Sequence, residues 1–167
     1  MDNWIYFKTA IGICGISWEE KGITQVSLPE KSLKFLKTKF DGKIYQTRPP
    51  MWVKKIILKI EKHFEGNLQD FSKVPVQLNS LPPFHQKVYL QAKKIPYGKL
   101  TTYGALAKAM GNPLAARAVG QALGKNPIGL IVPCHRVVSA GGRPGGFTAH
   151  GGLLTKARML AIEGVSL

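Results

Sequence analysis

Residues 101–124 read TTYGALAKAMGNPLAARAVGQALG. Thr101 or Thr102 offers a hydroxyl that can cap a helix running to Met110. Gly111-Asn112-Pro113 breaks that helix, and Pro113 suits the start of the next. The second helix, Leu114–Leu123, is built from small residues and ends at Gly124. Two short helices on a tight turn outline a helix-turn-helix, although ordinary helical packing gives the same outline. Arg117 stands alone on this slim helix, whose small side chains permit close approach to a DNA backbone.

Working outward, Phe84–Lys94 reads as a helix with Phe84, Val88 and Ala92 (or Tyr89) inward, ended by Pro96. After the helix pair, 128–138 is an apolar run that reads as buried strand, interrupted by Cys134-His135. The Gly-rich 139–152 reads as a mobile loop. Leu153–Ile162 is a last helix, with Glu163 at its C-terminal end and Gly164 as its stop. Toward the N-terminus, 4–8 and 10–18 read as strand, Glu19–Gly22 as a turn and Ile23–Leu28 as a returning strand. Leu33, Leu36 and Phe40 follow at helical spacing. A stronger helix from Trp52 to Phe64 carries the stripe Trp52-Ile56-Ile60-Phe64 and is stopped by Gly66. Residues 67–83, with Pro75, Pro82 and Pro83, read as a linker. The expectation is an α/β N-terminal domain over 1–80, a small β-sheet with helices, and a mainly α C-terminal domain over 81–167 that contains the helix-turn-helix.

The chain of 167 residues carries a formal net charge of +15. Residues 1–80 hold 13 Lys/Arg against 8 Asp/Glu, and residues 81–167 hold 11 against 1, Glu163. So basic a half points to a polyanionic partner, since each neutralised phosphate releases counterions. No long apolar run suggests a membrane span, and the N-terminus does not read as a secretory signal. The two cysteines, Cys14 and Cys134, lie far apart and lack metal-ligand spacing. Neither a disulfide framework nor a zinc site is expected, and the expected setting is a reducing cytoplasm, or a nucleus in a eukaryote.

A lone cysteine in an apolar run is usually a small hydrophobe. Cys134 differs in its neighbours: Pro133 disturbs the strand before it, and His135 and Arg136 place two cationic groups after it. Nearby cations lower a thiol from its free pKa of about 8.5. Glu163, an acid at a helix C-terminus, opposes the helix dipole and is explained if it orients a histidine, as a Cys–base–carboxylate relay requires. A core imidazole and a solvated helix end are the plain alternatives for His135 and Glu163.

Pro133-Cys134-His135-Arg136-Val137 resembles the active-site motif of the O6-alkylguanine-DNA alkyltransferases, the methylated-DNA–protein-cysteine methyltransferases. Tyr97-Gly98-Lys99, Thr102-Tyr103, Gly111-Asn112-Pro113, Ala115-Ala116-Arg117-Ala118-Val119-Gly120, Asn126-Pro127, Gly151-Gly152-Leu153 and Glu163-Gly164 resemble that family in order and spacing. The resemblance covers about residues 82–164.

It implies single-turnover DNA repair, in which the alkyl group of O6-alkylguanine passes irreversibly to Cys134, with O4-alkylthymine open as a second substrate. His135 takes the thiol proton through a water, Glu163 holds His135, Asn126 braces the turn, and Tyr103 donates its phenol proton to the guanine ring. Arg117 fills the stack left by the flipped base, with Tyr103, Gly104, Asn112, Ala115 and Arg136 also on the DNA side. Carbonyls around Cys134 and Val137 read the guanine edge. Phe147 and the loop near Gly151 wall the pocket, with Phe147 standing where relatives often have Tyr. The implied partner is double-stranded DNA carrying alkylated guanine, entered from the minor groove with base flipping by a monomer; no cofactor or metal is implied. A non-catalytic lesion binder, a Cys-His hydrolase and a transcription regulator are the competing readings. The first lacks the cysteine, and the second leaves the basic half unexplained. The third requires an unreactive Cys134.

Overall fold

The computed structural model describes residues 3–30, 32–40, 47–147 and 152–167. Three strands, β1 (Asn3–Thr9), β2 (Gly12–Glu19) and β3 (Gly22–Glu30), form an antiparallel meander in the order β1-β2-β3. The tight turn falls at Glu20-Lys21, with Glu19 paired to Gly22. Helix α1 (Leu33–Lys39) follows, capped by the Ser32 hydroxyl. Its end sets Phe40 flat on Trp4, ring centroids 4.6 Å apart. That contact needs glycine below it, because a Cβ on Gly15 would lie 2.4 Å from the Phe40 ring.

Helix α2 (Met51–Phe64) buries Val53, Ile56, Ile60, His63 and Phe64. The apolar stripe brings the helix onto the sheet; His63 joins that face although it is polar. Gly66, at φ +96, turns the chain away. The segment 67–83 is not the free linker expected. Phe71, Val74 and Leu78 are buried in it. Ile23 of β3 donates to the Pro75 carbonyl and accepts from the Gln77 N–H, at 2.9 and 2.8 Å. The segment therefore extends the pairing edge of β3, where exposed backbone groups would otherwise need water.

The second half is mainly helical: α3 (Pro83–Ala92), α4 (Tyr103–Ala109), α5 (Ala116–Gly124) and α6 (Leu153–Ile162). Thr102 caps α4, its Oγ1 accepting from the Ala105 N–H at 3.0 Å. Helix α5 begins two residues later than expected. Ala115 donates to the Asn112 carbonyl at 3.1 Å, so Pro113 and Leu114 belong to the turn. The side chains of Val119, Ala122 and Leu123 are buried, which leaves the Arg117-Ala118 face of α5 outward.

The apolar run 128–138 is buried but is mostly not strand. Only Val137–Val138 (β5) pairs, in parallel, with Thr101–Thr102 (β4). Pro127 and Pro133 have no N–H for a ladder. Leu130 sits at φ +67, and no other non-glycine residue described is left-handed. Such a residue costs about 1–2 kcal/mol and persists because its surroundings hold it. They do: Leu130 is buried, Val26 of β3 bonds Pro127 and Gly129 on either side, and the Asn126 side chain grips the loop. A Cβ on Gly129 would lie 2.5 Å from Leu28 Cγ, so only glycine lets this loop meet β3. One continuous core results, running from Cys14 and Ile16 through Ile60 and Val88 to Val132 and Met159.

Candidate active site

Cys134 opens a one-turn 3-10 segment, Cys134–Arg136, directly after the looped run. Its N–H donates to the Val132 carbonyl at 2.8 Å, and its carbonyl accepts from the Val137 N–H. Asn126 fixes the approach. Its Nδ2 donates to the Val132 carbonyl and its Oδ1 accepts from the Ile128 N–H, both at 2.9 Å. The same amide hydrogen-bonds the thiol. Asn126 thus ties the end of α5 to the turn that presents Cys134.

The turn sends His135 and Arg136 inward, both buried. His135 Nε2 lies 2.8 Å from Glu163 Oε1, at the C-terminus of α6. Arg136 donates from Nη2 to Oε1 at 2.7 Å, from Nε to Oε2 at 3.0 Å, and from Nη1 to the Ile95 carbonyl at 2.7 Å. Arg136 is therefore corrected from a DNA-facing cation to an internal one. Its guanidinium is spent on the carboxylate that the unfavourable helix end would otherwise leave uncompensated. Burial alone would raise Glu163, but donors from His135, His63 and Arg136 outweigh it and hold the carboxyl far below the usual range. Glu163 is not a solvated helix end.

Burial pushes His135 down from its ordinary value, against the pull of Glu163, so the imidazole rests neutral. With Nε2–H directed at Glu163, the bare nitrogen is Nδ1. It is buried and has no hydrogen-bond partner among the described residues. Burial also raises the Cys134 thiol, while Asn126 and the charge of Lys156 pull it down. The cations expected to activate the thiol, His135 and Arg136, are respectively neutral and paired away. Lys156 takes that place. It is fully buried on α6, donates to the Val137 carbonyl at 2.8 Å and to the Pro144 carbonyl, and stands 5.8 Å from the centre of the Phe147 ring.

The cavity at the thiol has a volume of about 570 Å³. Cys134, Asn126, Tyr103, Arg117, Gly120 and Phe147 line it, and Gln25, Ser27 and Lys39 bring the N-terminal half to its wall. The β4–β5 pair explains why Tyr103 is there, since it ties the start of α4 to the strand after Cys134. Burial raises the Tyr103 phenol, with the nearby thiol adding to it, so the phenol keeps its proton. Gly145, at φ +70, packs on that phenol; a Cβ there would lie 2.6 Å from the hydroxyl. Val137 is buried below the turn and does not line the cavity; its carbonyl is taken by Lys156. Gly104 and Asn112 are exposed and Ala115 half-buried, on the α4–turn–α5 unit that carries Arg117. Gly151 lies outside the described residues.

Sequence reasoning missed Lys156 and His63. Lys156 is one lysine among many, and only its position about two helical turns before Glu163 set it apart. His63 sits on the apolar face of α2, where a histidine is the odd residue in a hydrophobic stripe.

Fold and site define a class: a cysteine that lines a cavity, backed by a buried His–Glu pair and presented beside a helix-turn-helix. A family model described as "6-O-methylguanine DNA methyltransferase, DNA binding domain" matches residues 83–165. A methylated-DNA–protein-cysteine methyltransferase of Methanosarcina acetivorans is 36% identical over 168 residues, 95% of this chain and 96% of that protein. The solved O6-methylguanine methyltransferase of Mycobacterium tuberculosis superposes with a TM-score of 0.78 at 32% identity, covering 98% of this chain and 93% of the other. The same organism's OGT in complex with DNA gives 0.78 at 31% identity, covering 96% and 92%. The chain belongs to the methylated-DNA–protein-cysteine methyltransferase family.

Proposed function

We propose that this protein repairs alkylated DNA by accepting the alkyl group of O6-alkylguanine on Cys134, once per molecule. The observation that carries the assignment is the bare, buried Nδ1 of His135, whose other nitrogen is held by Glu163 beside a thiol that opens on a cavity. His135 takes the thiol proton through a water. The thiolate sulfur attacks the alkyl carbon on O6; the S–C bond forms as the C–O6 bond breaks, and the electron pair passes into the guanine. Tyr103 supplies the proton that lets guanine leave neutral, as its retained phenol proton allows. A thioether is a poor leaving group, so Cys134 stays alkylated.

The DNA side is the exposed face of α5 with the turn before it, from Gly104 through Asn112 and Ala115 to Arg117. Base flipping costs a few kcal/mol. The planar Arg117 guanidinium at the cavity mouth recovers part of this by stacking in the gap. Leu114, 95% exposed three residues earlier, offers an apolar contact to the same duplex. The slimness of α5 suits minor-groove entry by a monomer. The division at residue 80 is kept as a functional one, with nucleophile, relay and α5 all in 81–167. The protein acts in the compartment that holds the DNA, the cytoplasm of a prokaryote or the nucleus of a eukaryote. No helix among the described residues is long and apolar enough to cross a membrane.

The test is intact mass after incubation with a duplex carrying one O6-methylguanine, followed by peptide mapping. The expected result is one methylene unit gained, on Cys134, saturating at one per molecule. Cys134→Ala should gain nothing yet still bind the lesion duplex. Binding without any mass gain in the unaltered protein would make it a lesion sensor.

A further inference from the structure

Glu163 Oε1 accepts from a third side chain besides His135 and Arg136. His63, at the end of α2 and 100 residues away in the chain, places Nε2 at 3.2 Å. His63 is itself buried. Its Nδ1 accepts from the Gln69 N–H at 3.1 Å. A nitrogen that accepts carries no proton, so the neutral ring must bear its hydrogen on Nε2 and donate it to Glu163. The titratable and charged groups gathered with His63 on one carboxylate oxygen are Glu163 at the end of α6 and, through it, His135 and Arg136 on the 3-10 turn. The rings of Phe64 and Phe71 close other sides, with centroids at 6.0 and 5.5 Å. Among the described residues, His63 is not part of the lining of the cavity at Cys134.

We propose that His63 is a positioning residue of the alkyl-transfer site. It is a neutral N–H donor, supplied by the N-terminal half, that fixes the carboxylate oxygen against which His135 is oriented. The proposal rests on the reading of His135 as the base for Cys134.

Two consequences follow from sharing Oε1. The carboxylate cannot swing toward Arg136 alone, so the His135 ring stays held through Nε2 and its Nδ1 stays bare. The shared oxygen is also a weaker acceptor for His135, which makes that imidazole less basic, the direction in which burial already pushes it. Outer partners that orient a working histidine typically change activity by about 10- to 100-fold.

The experiment measures single-turnover alkylation by free O6-benzylguanine, which bypasses DNA binding. Rates are followed from about pH 5 to about pH 9, spanning the ordinary histidine value, for the unaltered protein, His63→Phe, His63→Gln and Glu163→Gln. Thermal melts confirm that each variant is folded. His63→Phe should react about 10-fold more slowly at neutral pH. Its acid limb should move to higher pH, because Glu163 then serves His135 more strongly. His63→Gln, which keeps an N–H donor, should recover most of the rate. A folded His63→Phe with an unchanged rate and profile would overturn the proposal. If His63→Phe does not fold, nitrogen-detected NMR of the unaltered protein decides. A neutral Nε2–H tautomer at His63 is expected, and an Nδ1–H tautomer or an imidazolium at neutral pH would overturn it. A Glu163→Gln protein as fast as the unaltered one would instead sink the His135 relay itself. A slow Glu163→Gln beside a normal His63→Phe would sink only the role of His63.

Discussion

Arg136 grips Glu163 through two parallel contacts, Nη2 to Oε1 at 2.7 Å and Nε to Oε2 at 3.0 Å, with both side chains almost wholly buried. The pair sits directly behind the nucleophile turn and converts a costly buried acid into a fixed acceptor for His135. Removing one member of a buried pair costs about 3–5 kcal/mol, because the other charge is left uncompensated. Glu163→Gln should therefore lower the chemical denaturation midpoint by an amount equivalent to about 3 kcal/mol. It should also slow alkyl transfer by about 10-fold or more. Unchanged stability would mean that the Arg136 charge finds another partner or solvent.

Stability should fall on acidification from near neutrality. The folded-state value of His135 is depressed by burial. The unfolded chain thus binds a proton at about pH 6.5 that the folded protein still refuses. The contribution is complete above that pH and is lost as pH falls toward the folded value. Glu163, also depressed, adds loss of the same sign below about pH 4.3. Urea midpoints measured from about pH 8 to about pH 2 should show both limbs, the upper one reporting the histidine. His135→Asn should flatten the upper limb; a slope unchanged in that variant would assign it elsewhere.

Arg117 separates DNA handling from chemistry. It lines the mouth of the cavity from α5 and makes no contact with the His–Glu cluster. Arg117→Ala should lose at least about 10-fold in repair of duplex O6-methylguanine, an interaction worth about 1.4 kcal/mol, through the unstacking cost no longer recovered. Its rate with free O6-benzylguanine should stay within about twofold by the same reasoning. Equal losses on both substrates would remove Arg117 from the flipping role.

Lys156 is the buried cation that acts on the thiol. Burial lowers Lys156 from its ordinary value, while the carbonyls of Val137 and Pro144 hold its ammonium. Lys156→Met keeps the stem and removes the charge. The Cys134 thiol should then titrate higher, and alkylation by iodoacetamide at neutral pH should slow by about several-fold. An unchanged pH–rate curve would show that Asn126 and the backbone alone set the thiol.

Much of the fold is periodic and therefore visible in the chain. The β-branched and aromatic runs in 4–28 and the apolar stripe on 52–64 both mark surface that must be buried, and the elements formed near the expected bounds. The run 128–138 misled because apolar content reports burial but not pairing. Pro133 within it, Pro127 just before it and the left-handed Leu130 make it a buttressed loop, and what satisfies its backbone is Asn126 and Val26, contacts that no local pattern displays.

The sequence by itself marked Cys134 as the proposed nucleophile, together with its neighbours in the chain, because Pro133–Val137 and the α4–turn–α5 unit are contiguous and carry their chemistry in residue type and spacing. It could also single out Glu163 as an acid without local reason to be there. Only the tertiary structure decided which groups share that acid. Arg136 turns inward, because a 3-10 turn advances side chains by about a third of a circle per residue. His63 arrives from α2, and Lys156 is drawn under the loop by two carbonyls. Those contacts span 100 residues in one case and 27 in another. They are set by how helix ends converge on one buried charge, a property of packing rather than of any stretch of chain.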